Sequence, residues 1–357
     1  MKFDPQKPFN PPPLPPSVDL DSLPILKMLK DVGREVAELK GYCANVPNPM
    51  VLMSMAMTKE SVESSKIENI HTTVASVLEA EVDSQSEKRG PDKEVLRYRT
   101  AIRWGMDNLA KLSLSTRLIL GLHEKLVLNS SGYRKQQNAI ANQITGEKIY
   151  IPPVASRLVE HMKAWENFAN SENKENIDPL VRCALCHYQF EVIHPFGDGN
   201  GRTGRILLAL QLVSEKLLNY PVLYISGYLN RNRSEYYRTL LAVTESQAWE
   251  EYILFILEGF KVQAVKTKSK LFQMEQAFKS LEEALRQDHP RMNALDLVNH
   301  LFAYPVTSPT LLSREIGVHY QTASKYLQEL KEAGILSGER SGKRHFFYNN
   351  VIFDHLL

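Results

Sequence analysis

Within twelve residues, His194-Pro195-Phe196-Gly197-Asp198-Gly199-Asn200-Gly201-Arg202-Thr203-Gly204-Arg205 gathers an imidazole, a carboxylate, two guanidiniums and four glycines. A turn between two helices needs none of those charged groups. Together they describe an anion cradle. Gly199 and Gly201 let the backbone bend so that successive N–H groups converge, and a helix starting there adds its positive end. Arg202 and Arg205 lie three apart, on one face of the first helical turn, where each guanidinium can hold a phosphate oxygen. Asp198 is a hard oxygen ligand suited to Mg²⁺, which arrives with polyphosphate. His194, ending the preceding helix, accepts a proton at neutral pH. Polyphosphate, Mg²⁺ and a general base describe transfer of a phosphorus-containing group to a hydroxyl.

Three generic motifs nearly fit the same residues and fail on context. Gly199-x-Gly201-x-x-Gly204 has the spacing of a dinucleotide fingerprint, but a helical pattern precedes it where a strand is required. Asp198-x-Asn200 begins like a calcium loop, yet Arg202 and Thr203 stand where a ligand and an invariant glycine belong. No lysine follows the glycines, so this is not a Walker loop.

The elements that must position the cradle are mostly helical. Apolar residues recur at three- and four-residue spacing from Leu23 to Ala80, including Ile25, Met28, Leu29 and Val32, then Val62, Ile67, Ile70 and Val74. Residues 83–93, with Gly90-Pro91, read as a loop. Helices are predicted over 93–112, 116–128, 154–169, 178–193 and 205–218, and on to about Leu285, the last stretch being a polar linker. One break stands out at 130–155. Ile144, Thr145-Gly146 and Lys148 to Ile151, stopped by Pro152-Pro153, predict a short β-hairpin. Beyond Ser308 the order helix, Gly317 turn, helix, hairpin is that of a winged helix.

The cradle sequence resembles the Fic family signature, HPFxDGNGRxGR, and matches it at every fixed position. The resemblance extends over roughly residues 20–260. It implies a protein adenylyltransferase that moves AMP from ATP to a Ser, Thr or Tyr hydroxyl and releases diphosphate. Carried over by position, His194 takes the proton of the target hydroxyl and Asp198 holds Mg²⁺. Gly199, Asn200 and Gly201 bind the phosphates, Arg202 supports them with Thr203 and Gly204, and Arg205 grips the γ-phosphate. Phe196 should be buried. Relatives that transfer phosphate, UMP or phosphocholine share much of this loop, so the donor is inferred from the resemblance.

The resemblance implies two further parts. Ser64-Ser65-Lys66-Ile67-Glu68-Asn69 matches the family's inhibitory motif, (S/T)xxxE(G/N), with Glu68 expected to pair with Arg205 and draw it off the γ-phosphate. Some relatives with this glutamate also remove AMP from targets. The hairpin falls where the family carries its flap, so Lys148, Ile149, Tyr150 and Ile151 are expected to pair with an extended target chain. Tyr236 resembles the residue lining the adenine pocket, with Tyr237 assigned to the core. A homodimer is also implied.

The expected architecture is therefore mainly α: an N-terminal helical region (1–95) with the inhibitory motif, a Fic core (96–260), a helical linker (261–290) and a winged-helix domain (291–357). From Ser313 to Asn349 the tail carries Arg314, Lys325, Lys331, Arg340, Lys343 and Arg344 against Glu315, Glu329, Glu332 and Glu339, a modest basic surplus for a DNA reader. DNA contact through Gln321, Ser324, Lys325 and the wing residues, and protein contact, both stand open. A transcription regulator with a degenerate enzyme domain is the competing reading. The intact His194, Asp198, Asn200 and arginines weigh against it.

Composition sets outer limits. The chain has 357 residues, 43% hydrophobic and 24% charged, with 43 basic and 41 acidic side chains, which excludes a bulk polycation. No apolar run approaches the roughly 20 residues that span a bilayer. The proline-rich start has no apolar h-region, which points to a cytoplasmic protein. Its three cysteines, Cys43, Cys183 and Cys186, are expected to be reduced thiols.

Overall fold

The computed structural model describes residues 3–44, 49–82, 90–141, 145–171, 177–341 and 344–355. Two buried helices form its centre. Pro179–Ile193 starts at Asp178, whose side chain caps it by accepting from the Leu180 N–H at 2.8 Å. Asn200–Ser214 follows after the glycine bend. Both carry apolar residues around most of their circumference and are buried almost throughout, as such helices must be. Gly90–Leu112 and Thr116–Leu126 pack against this pair. Gly105 allows that close approach: a Cβ would meet the Leu122 side chain at 2.6 Å and Leu210 at 2.8 Å, and both would have to shift.

An outer layer braces the centre. Leu23–Ala44 lays Ile25, Val32, Val36, Leu39 and Cys43, a stripe at helical spacing, along Trp249–Asp288. Lys268 bridges Glu35 and Glu38 across that contact. The expected linker is part of this one 40-residue helix, so the boundary at 260/261 falls inside it. Leu271, Met274, Leu281 and Leu285 remain buried along its polar-looking half. The single N-terminal helical pattern resolves into Leu23–Ala44, Pro49–Ile67 and Val74–Val82. The predicted loop 83–93 is shorter: helix begins at Gly90, because glycine and proline at a helix start break nothing, and 83–89 lie outside the described residues.

The hairpin is present with a different first strand. Ile140–Ala141 pairs antiparallel with Lys148–Tyr150, in the register Ile140↔Tyr150 and Ala141↔Lys148. Ile144, the expected member, lies outside the described residues.

The C-terminal module has the anticipated order. Ser308 caps Pro309–Ile316, Gly317 turns at φ 70°, and Tyr320–Glu332 follows. Leu336–Ser341 and Arg344–Asn349 form the hairpin, and Val306–Thr307 adds a third strand beside the latter. Leu78 of the Val74–Val82 helix packs with Val306 and Phe346, and the Tyr348 hydroxyl donates to Glu79 at 3.2 Å. Gln321 and Lys325 are exposed, while the side chains of Arg340, Lys343 and Arg344 lie outside the described residues. Among those residues no helix is long and apolar enough to cross a membrane, and all three cysteines are free and buried.

Candidate active site

The bend between the two central helices is braced from every side. His194 ends the first helix in the left-handed region, φ 48°, and its N–H still donates to the Phe190 carbonyl at 3.1 Å. Its Nδ1 lies 3.3 Å from the Glu191 carbonyl oxygen. That oxygen only accepts, so Nδ1 carries the proton and Nε2 keeps its lone pair for a base's work. Burial pushes the imidazole pKa down to about 4, the Glu191 hydrogen bond opposing. His194 is therefore neutral at pH 7.

Phe196 is fully buried, as anticipated, and stacks on His123 at 3.6 Å between centroids and 4° between planes. His123 Nε2 meets the Asp198 carbonyl at 2.9 Å and Nδ1 the Ser130 hydroxyl at 2.7 Å. Arg134 donates from Nε to the His194 carbonyl at 3.0 Å and from Nη2 to the Pro153 carbonyl, joining the bend to the flap. Neither His123 nor Arg134 announces itself in the sequence, because each acts on backbone carbonyls rather than within a motif.

Asn200 departs from its expected role. Its Oδ1 accepts from the Phe196 N–H at 2.8 Å and its Nδ2 donates to the Phe196 carbonyl at 2.9 Å, so the amide closes the bend instead of facing a phosphate. What is offered there is backbone. The N–H groups of Asn200, Gly201 and Arg202 open the helix and have no intrahelical acceptor. Gly199 holds φ 75°, and a Cβ on it would strike Val127 at 2.7 Å. Thr203 spends its hydroxyl on the Gly199 carbonyl at 2.8 Å. Gly204 admits the Glu191 and Phe190 side chains.

The two arginines are both buried and differently employed. Arg202 pairs with Glu94 at 2.9 Å and Asp198 at 3.3 Å. Arg205 donates from Nη2 to Glu68 at 2.8 Å and from Nε to the Ser64 hydroxyl at 2.7 Å. Burial pushes the Glu68 carboxyl up, but Arg205 more than offsets it and holds the group below the usual carboxylate range. A Cβ on Gly201 would meet Glu68 Oε1 at 2.5 Å and Arg205 Nη1 at 2.8 Å, so the ion pair lies directly over the helix start.

Local rules place Glu68. It is the C-cap of Pro49–Ile67, and Asn69 takes the left-handed conformation at φ 61°. The Ile70 N–H donates to the Ser65 carbonyl and the Asn69 N–H to the Lys66 carbonyl, the bond pair of a Schellman close. A motif ending in glutamate followed by glycine or asparagine thus describes a helix stop that aims a carboxylate.

Asp198 has a side chain 75% exposed, with Oδ1 on its neighbour's N–H at 2.7 Å. One exposed carboxylate beside an anion cradle suits Mg²⁺, which keeps waters and phosphate oxygens as its other ligands. Among the described residues no cluster of three or more His, Cys, Asp or Glu is placed to hold a metal by itself.

Two aromatic and flap assignments change. Tyr236 is 2% exposed, hydrogen-bonds His187 Nε2 at 2.9 Å and stacks on Phe255, so it is core. Tyr237 is 46% exposed, with Arg233 over its ring at 5.9 Å. Adjacent residues on a helix diverge by about 100°, and only the first of this pair points inward. In the flap, Lys148 and Ile149 are exposed, whereas Tyr150 and Ile151 are buried, and the Tyr150 hydroxyl donates to the Val192 carbonyl at 2.7 Å. The last two anchor the strand.

A helical fold whose central helix opens as an anion cradle beside a histidine is the arrangement of Fic proteins, and the comparisons agree. The Fic/DOC family N-terminal model matches residues 26–107 and the Fic/DOC family model residues 113–212, together just over half of the chain. A C-terminal domain model of SoFic-like protein adenylyltransferases matches residues 278–352. The chain belongs to the Fic/DOC family. It is similar to proteins called protein adenylyltransferase Fic from Drosophila virilis and Drosophila mojavensis, 28% and 29% identical over 189 residues, 51% of this chain. Those residues are 36% and 35% of the relatives' length, so the chain spans about a third of the curated proteins it matches. A Fic family protein from Desulfovibrio desulfuricans G20 shares the fold with a TM-score of 0.61 at 20% identity, over 94% of this chain and 98% of its own. Fic-1 from C. elegans gives 0.52 at 20% identity, over 69% and 73%.

Proposed function

We propose that this chain is a protein adenylyltransferase held inactive by its own Glu68. The observation that carries the reading is the position of the Glu68 carboxylate: it lies against Gly201 in the first turn of the cradle helix and takes the Arg205 guanidinium. A free helix start with a guanidinium beside it suits a phosphate. The donor is ATP and the acceptor a Ser, Thr or Tyr hydroxyl of a protein.

His194 Nε2 removes the hydroxyl proton as the oxygen bonds to the α-phosphorus. The α–β bridging bond breaks, and diphosphate leaves with its electron pair. Backbone N–H groups of Asn200, Gly201 and Arg202 face the charge that grows on the α-phosphoryl oxygens. Asp198 would hold Mg²⁺, which neutralises polyphosphate charge when bound. Arg205, once Glu68 lets go, holds the γ-phosphate through its fork. Tyr237 and Arg233 flank the exposed side of this site and supply a face for the base. The exposed edge at Lys148 and Ile149 orients the target by main-chain pairing.

Glu68→Gly protein incubated with a target lysate and Mg²⁺ tests the donor. Label on the α-phosphate of ATP should enter protein and label on the γ-phosphate should not. Transfer of the γ label would mean a kinase instead.

A further inference from the structure

On the Pro49–Ile67 helix, one turn before Ser64, the side chains turn toward a cavity of about 340 Å³ that catalysis leaves unused. Trp249–Asp288 forms its other long wall, and Val222 to Arg231 closes it. Its lining is of two kinds. Met55, Leu271 and Met274 are apolar, and Lys59, Arg231, Lys266 and Lys270 are cationic. Two carboxylates share the lining. Glu63 accepts from Asn230 at 2.9 Å, and Glu60 accepts from Tyr98 at 2.9 Å and Ser226 at 2.5 Å. Burial pushes Glu60 up to about 7, so it offers the cations only part of a charge at neutral pH.

Lys59, Arg231, Lys266 and Lys270 gather positive charge along one cavity. Burial, with Lys59 and Lys266 close by, pushes the Lys270 ammonium down to about 7. The volume lies in the range of small-molecule sites.

We propose that this cavity binds a small phosphate-bearing compound with an apolar body. The cations hold the phosphate, Arg231 with its planar fork and the lysines as point charges. Met55, Leu271 and Met274 cover the apolar part. The proposal stands on these residues alone and does not depend on the catalytic reading. Its position gives it reach, since an occupant touches the helix that ends in Glu68.

Acetylation of lysines by a limiting reagent, followed site by site by mass spectrometry, reads occupancy directly. Sodium phosphate and phenyl phosphate are compared with sodium chloride at equal ionic strength, and the exposed Lys163 serves as reference. Phosphate should slow modification of Lys59 and Lys270 at least about fivefold and saturably, with phenyl phosphate acting at lower concentration. The double variant Arg231→Gln, Lys266→Gln changes two exposed residues and spares the fold. It should raise the half-protecting concentration at least about tenfold, one charge-assisted contact's worth. Equal protection by chloride, or an unchanged half-protecting concentration in the double variant, would overturn the proposal.

Discussion

The bend at 194–205 and the flap at 140–151 are tied to each other by Arg134 and Tyr150, yet they are held in opposite ways. In the bend, nearly every group is spoken for. Phe196 is stacked, Asn200 closes a ring on the Phe196 backbone, and His123 grips the Asp198 carbonyl. The flap consists of two short strands with exposed outer residues. Besides the Tyr150 hydroxyl on the Val192 carbonyl, the Phe9 N–H donates to the Ile151 carbonyl at 2.8 Å. Reacting groups must be fixed to fractions of an ångström, so the bend is over-determined. The flap is anchored at one end and left bare at the other, which suits the proposed pairing of its open edge with a target chain.

Breaking the rigid region should have the largest consequence. In the Glu68→Gly background, His194→Ala should lower AMP transfer by about 10²–10⁴-fold with nucleotide binding retained, measured as kcat and ATP affinity. An active His194→Ala protein would remove the base from the account.

The next effect is in pH. In the proposed mechanism the base works unprotonated, and burial holds His194 near 4 rather than at the ordinary 6.5. The acid limb of kcat/KM should therefore lie well below pH 6, falling about tenfold per unit under the pKa. A limb centred at the ordinary histidine value would show that the free enzyme exposes this ring.

The smallest change sharpens the contrast. Tyr150→Phe deletes one hydroxyl that donates to Val192, worth about 1 kcal/mol. It should raise KM for the protein target several-fold and leave KM for ATP unchanged. Equal shifts in both would mean that the flap and the bend are one rigid unit.

Much of this was legible in the sequence, and the failures share a cause. The signature, the Ser64–Asn69 motif and the helical pattern depend on local spacing, which a sequence displays. The 40-residue helix looked like a linker because its polar residues hide the buried Leu271, Met274 and Leu281. Tyr236 and Tyr237 could not be told apart without knowing the helix's rotation. The resemblance implies a phosphate ligand at Asn200, whereas here its amide is consumed by the Phe196 backbone. Arg134 and His123 were invisible, since their partners are carbonyls far away in the chain.

The proposed function requires that Glu68 keep Arg205 from the nucleotide. It is tested most directly by the single-turnover rate of AMP incorporation at saturating ATP and Mg²⁺, wild type against Glu68→Gly. A charge-assisted hydrogen bond is worth about 1.5–3 kcal/mol, so the variant should be faster by roughly ten- to a hundredfold. Equal rates at saturation would contradict it.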